Sequence, residues 1–171
     1  MPATVFDKAQ VTLPSDREVQ VTRSFKAPRA LVYRAHTEPD LMRRWMLGPP
    51  GWSMTVCEMD VRVGGKYRWR WRNEQDGNEF GFFGEFREVQ PPERIVHAEY
   101  YDPGTLGGPM PSDRPALVTA TFTEEDGVTT LTSIIDFGSK EGRDAALSTG
   151  MTDGMEQSYQ LLEKLIGSDQ V

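Results

Sequence analysis

His97 and Glu99 stand two residues apart in the run Arg94-Ile95-Val96-His97-Ala98-Glu99-Tyr100-Tyr101. On a strand, that spacing puts an imidazole and a carboxyl on one face, roughly 6–7 Å apart at their Cα atoms. Such a pair can contact one small molecule and exchange protons with it, or the two groups can simply bond to each other. A period of two does not say which face is buried, so two arrangements stay open. In one, Ile95, His97, Glu99 and Tyr101 look inward. Polar groups in an apolar interior are costly without partners, so that arrangement points to a cavity holding water or a ligand. In the other, Val96, Ala98 and Tyr100 look inward and the polar pair lies outside.

The remaining reactive residues suggest less. Cys57, on the alternating run Met54-Thr55-Val56-Cys57-Glu58, reads as a buried, inert thiol. His36 closes a short helical pattern and reads as structural. Asp60 and Arg62 share a strand face beside the Gly64-Gly65 turn and read as an ion pair. A single cysteine excludes an internal disulfide, and two histidines leave little for a metal cluster, so no metal is expected. No G-x-S-x-G elbow, Walker loop or G-x-G-x-x-G fingerprint occurs, and no cofactor is expected. The net charge of −7 argues against nucleic acid, anionic membranes and acidic substrates. No apolar stretch approaches the roughly 20 residues that cross a bilayer. The first residues, Met1 to Asp7, lack the basic and apolar regions of a leader, so a cytoplasmic protein is expected.

The elements that must position His97 and Glu99 follow from periodicity. A chain of 171 residues fits one domain. Residues 1–17 read as a polar arm whose short alternating run Val11-Thr12-Leu13 stops at Pro14, and residues 18–168 as the domain. Glu18–Phe25 is a strand with Val19, Val21, Arg23 and Phe25 on one face. Two short helices follow Ala27-Pro28 and Glu38-Pro39-Asp40. Strands are predicted over Met54–Val61, Lys66–Arg72, Glu79–Val89, Arg94–Tyr101, Ala116–Thr123 and Val128–Phe137, with a long irregular loop over 102–115. Gly81 and Gly84 suggest a bulge or bend. Ser139–Ile166 reads as one long helix with a stripe through Leu147, Met151, Met155, Ser158, Leu162 and Leu165. Gly150 and Gly154 on its path suggest close backbone approach or room for a ligand. The order predicts an α+β protein in which seven antiparallel strands curve around the long C-terminal helix.

The most informative strand is Lys66-Tyr67-Arg68-Trp69-Arg70-Trp71-Arg72. Tyr67, Trp69 and Trp71 must look inward. Lys66, Arg68, Arg70 and Arg72 face solvent, where Glu79 and Glu85 can pair with them. Phe80, Phe82 and Phe86 continue the inner face. The candidate cavity is lined by Trp45, Trp52, Tyr67, Trp69, Trp71, Phe82, Phe86, His97, Glu99, Tyr101, Met151, Met155 and Tyr159, with Trp45 and Trp52 nearer its mouth.

Several motifs together resemble a known family. They are Phe25-x-Ala27-Pro28-x-x-Leu31-Val32-Tyr33, Leu41-x-x-Arg44-Trp45 and Asp60-x-Arg62-x-Gly64-Gly65. With them come Gly84-Glu85-Phe86-x-Glu88-Val89-x-Pro91-Pro92-Glu93-Arg94-Ile95-Val96 and Gly150-Met151-x-x-Gly154-Met155-x-x-Ser158-Tyr159-x-x-Leu162. The chain is similar to bacterial homologues of the activator of heat-shock protein 90 ATPase, within the START-like (SRPBCC, Bet v 1-like) superfamily, from about Glu18 to Ile166. The resemblance implies a helix-grip fold with a cavity between sheet and C-terminal helix. It implies binding of a small hydrophobic or aromatic molecule. Alternatives are a chaperone partner in the stress response, or a cyclase- or dehydratase-like enzyme using His97 and Glu99. Met46 stands where relatives often have a second tryptophan, the 102–115 loop is longer than usual, and the arm is additional. That arm, with a sheet edge it could cover, suggests self-association as a homodimer.

Overall fold

The computed structural model describes residues 4–107 and 114–168, so the middle of the 102–115 loop, residues 108–113, lies outside the described residues. Its strands are β1 (Gln10–Thr12), β2 (Glu18–Phe25), β3 (Trp52–Met59), β4 (Lys66–Asn73), β5 (Glu79–Gln90), β6 (Arg94–Asp102), β7 (Ala116–Glu125) and β8 (Val128–Asp136). They form one antiparallel sheet in the order β1-β2-β8-β7-β6-β5-β4-β3. Helices α1 (Arg29–Thr37) and α2 (Pro39–Trp45) carry the chain from β2 to the opposite edge at β3. Helices α3 (Lys140–Leu147) and α4 (Met151–Gly167) follow the last strand. The architecture is α+β and matches a helix grip.

Two expectations need correction. The sheet has eight strands, not seven. The extra one, β1, has three residues and overlaps the short alternating run of the arm, and it pairs with β2 through Val11↔Val21. The arm therefore covers an edge of its own sheet, and Phe6 extends the clasp by bonding to Ser24 through both backbone and side chain. The predicted single helix is two helices. Gly150 takes φ 78°, a left-handed conformation that glycine adopts without strain, and so sits at the N-cap of α4 rather than inside a helix.

Gly81 and Gly84 do not bulge. The β4–β5 register runs unbroken past both, and the shift lies between Phe86 and Glu88 on the β6 side. Each glycine instead lets a β4 side chain cross β5. Tyr67, opposite Gly84, donates its hydroxyl to the Ala98 carbonyl of β6 at 2.8 Å. Arg70, opposite Gly81 on the outer face, pairs with Asp102 of β6. The β4 cation Arg70 thus pairs with Asp102, and Glu85 with Arg87 of its own strand, in place of the expected pairing of β4 cations with Glu79 and Glu85.

On the inner face, Arg23 of β2 is 1% exposed among apolar neighbours. Its guanidinium donates to Glu156 at 3.0 Å and to Glu163 at 3.0 Å, both on α4. Glu156 also accepts the Ala9 backbone N–H at 2.7 Å. One carboxylate thus joins sheet, helix and arm. Losing one partner of a buried ion pair leaves the other charge uncompensated, whereas exposed partners contribute little. Glu156→Leu is expected to lower unfolding free energy in urea by about 3 kcal/mol. Glu163, with a side chain 53% exposed, should cost under about 1 kcal/mol as Glu163→Ala. Equal losses for the two variants would contradict this division.

Candidate functional site

Between the inner sheet face and the helices lies a cavity of about 580 Å³. The alternating strand β4 supplies Trp69 and Trp71 to its wall, and β5 supplies Phe80, Phe82 and Phe86. The rings pack on one another as well as on the void: Trp71 stacks on Phe80 with centroids 5.3 Å apart, and Phe82 meets Tyr101 at 5.7 Å. All four tryptophans of the chain border the cavity. Trp52 is half-buried, while Trp45 is 1% exposed, which corrects its expected place near a mouth. Trp45 donates its indole N–H to the Ala35 carbonyl at 2.9 Å and stacks on Tyr159, which anchors it deep between α1 and α4.

Of the sequence-read residues, only Tyr67 is absent from the wall. Its ring passes over Gly84 toward β6 instead of into the void, because Gly84 has no side chain to stop it. On α4, Met151, Met155 and Tyr159 border the cavity. Gly154 does too, and a Cβ built there would meet nothing within 4 Å, so the position opens onto free space.

His97 and Glu99 both reach the wall, so the odd-numbered set of β6 is the inward one. Among the described residues no hydrogen bond joins them, and the Nδ1 atom of His97 is buried without a partner, as is Nε1 of Trp69, whose ring lies 5.8 Å away. Burial lowers the His97 pKa to about 4, so the imidazole is neutral near pH 7. Burial raises the Glu99 pKa to about 7. Glu99 is the only carboxyl on the wall among the described residues.

The sequence reading missed the segment from Met46 to Pro49, which also borders the cavity. Trp71 donates its indole N–H to the Met46 carbonyl at 2.7 Å, and the Gly48 N–H reaches Ser158 Oγ of α4 at 2.8 Å. The segment is thereby held between sheet and helix. Its glycine and prolines read only as a helix stop, although Met46 and Leu47 were an apolar signal. Leu106 and Gly107 close another side, with Tyr101 donating its hydroxyl to the Gly107 carbonyl. His36 also borders the cavity; its ring bonds to the Val32 carbonyl, and burial lowers its pKa to about 4. Cys57 is buried, and burial raises its pKa to about 11, so it is a thiol near pH 7. Asp60 and Arg62 form the expected ion pair at 2.8 Å. Among the described residues no cluster of three or more His, Cys, Asp or Glu is placed to hold a metal ion, and no helix is long and apolar enough to cross a membrane.

Glu99 links the cavity to stability. Folding raises its pKa from 4.5 to about 7. Between those values the folded chain keeps a proton that the unfolded chain has released, so this group's contribution to stability falls as pH rises through the window. Glu99→Gln removes that loss. The variant is expected to match the native chain near about pH 4 and to exceed it by roughly 2–3 kcal/mol at about pH 8, read from denaturant unfolding at each pH. A difference independent of pH would mean that the carboxyl titrates in its ordinary range.

Comparison with known proteins agrees with this architecture. The structure of a Rhodobacter sphaeroides protein superposes with a TM-score of 0.82 at 27% identity, covering 95% of this chain and 99% of that one. A Nitrosomonas europaea protein superposes at 0.78 with 22% identity, covering 92% and 99%. The AHSA1-like protein from Aeromonas hydrophila superposes at 0.64 with 20% identity, covering 85% and 92%. No curated protein matches the chain. Residues 26–167 match the family described as Activator of Hsp90 ATPase homolog 1-like protein, and the chain belongs to that family.

Proposed function

We propose that this protein binds a small apolar or aromatic molecule in the cavity between its sheet and α4. The observation that carries the reading is the cavity volume of about 580 Å³, walled largely by aromatic rings and methionines. Ligand sites typically occupy about 300–1,000 Å³, with apolar walls and a few polar groups that orient the guest. Gly154 adds support. A glycine within a helix costs up to roughly 1 kcal/mol against alanine, and here, in the first turn of α4, its missing side chain leaves the space open. Trp45, Trp52, Trp69, Trp71, Phe82, Phe86, Tyr101, Met151, Met155 and Tyr159 would contact the guest, with His97 and Glu99 as the polar groups.

The four wall tryptophans make the site self-reporting. Titration with naphthylethanol, a neutral aromatic probe, is expected to change their fluorescence saturably. Gly154→Leu, which places a side chain in the cavity, should weaken that binding by about tenfold or more. Because leucine is the better helix former, the variant's melting temperature should hold or rise. Equal affinity in the variant, or no saturable response in the native chain, would overturn the proposal.

A further inference from the structure

Besides the unpartnered ring nitrogens of His97 and Trp69, the cavity wall carries one carboxyl that the described residues leave unanswered. Among the described residues, the Glu99 carboxyl makes no hydrogen bond and no ion pair. Its neighbours across the sheet are Gly84 on β5 and Ala116 on β7, and neither offers a side-chain donor. No lysine or arginine borders the cavity among the described residues. Arg114 and Glu99 both border a small adjoining cleft of about 40 Å³, but no ion pair joins them, and Arg114 is exposed to solvent. Phe82 and Tyr101 border both the cleft and the main cavity alongside Glu99.

A carboxyl enclosed by apolar walls is costly in its charged form unless a cation or strong donors meet it. Among the described residues the wall supplies no cation, and no donor on it is bonded to Glu99, so the complement is left to the guest. An anionic guest would set like charges together. A wholly apolar guest would leave the carboxyl unpaired. A protonated amine supplies charge and donors at once, and the faces of aromatic rings attract the same cation. We infer that the cavity selects amphiphilic amines, with an aromatic or apolar body among the tryptophans and a protonated nitrogen between Glu99 and the rings of Phe82 and Tyr101. This rests on the cavity being a binding site, and it adds the chemical class of the guest.

The test compares three probes of one size by calorimetry on the whole chain: naphthylethylamine, naphthylethanol and naphthylacetate. The amine is expected to bind the native chain about tenfold or more tightly than the alcohol, with the acetate weakest. In Glu99→Gln, which keeps shape and removes the charge, amine and alcohol should bind within about twofold of each other. Should the alcohol or the acetate equal the amine on the native chain, the cavity binds apolar guests without this selectivity and the inference fails alone. Persistence of the amine preference in Glu99→Gln would also overturn it, by assigning the preference elsewhere. If none of the three binds, the inference and the binding function fall together.

Discussion

The buried guanidinium of Arg23 fixes where α4 sits, and the cavity depends on that placement. Arg23 projects from an otherwise apolar face of β2 and is met by two carboxylates of α4. Burying such a charge is tolerable only with its partners in place, which ties the docking position of α4 to these two carboxylates. The apolar contacts reinforce it: Tyr159, Leu162 and Leu165 on the same helix are buried, and Tyr159 packs edge-on against Phe25 of β2. The C-terminal part of α4 is therefore held against the sheet. Its first turn, with Met151, Gly154 and Met155, extends beyond the anchor and forms one side of the void. Helix and sheet touch where charge and packing hold them, and stay apart where glycine and methionine leave room.

The sequence showed much of this arrangement where a signal was local. The alternation of Tyr67, Trp69 and Trp71 with basic residues identified the inner face of the sheet, because side chains on a strand alternate without exception while the pleat is regular. Asp126-Gly127 joins β7 to β8 with positive φ at both residues, as a two-residue hairpin turn requires. Other features depend on partners distant in the chain. Which face of β6 looks into the cavity follows from its register with β5 and β7, which alternation within one strand does not contain. The path of Tyr67 is set by a glycine in the neighbouring strand. The break at Gly150 was hidden because the stripe from Leu147 to Leu165 keeps helical spacing on both sides of it. The part played by Met46 to Pro49 lies in hydrogen bonds to Trp71 and Ser158, neither of which is near it in sequence.

The glycines of β5 show how one residue type serves two faces. Gly84 gives passage on the inner side to a tyrosine hydroxyl, and Gly81 on the outer side to an arginine. In both cases a β4 side chain bonds to β6, so three successive strands are tied by side chains as well as by their backbone ladders. A Cβ at Gly84 would meet the Ala98 carbonyl oxygen at 1.9 Å, and one at Gly81 the Trp69 carbonyl oxygen at 2.1 Å. These positions accept no larger residue without displacing backbone. The strands that carry most of the cavity's aromatic wall are thereby kept in one register.

The open position at Gly154 has a consequence for how long the folded chain persists. Filling it with alanine would improve the helix by up to roughly 1 kcal/mol, so glycine there leaves the chain less stable than its backbone permits. Whatever occupies the space returns stability by mass action, in proportion to the logarithm of its concentration over its dissociation constant. A difference of about 1–2 kcal/mol is enough to change steady-state abundance several-fold where unfolded chains are continually degraded. On the proposed binding function, the amount of folded protein would rise with the supply of its guest through the chain's own unfolding equilibrium.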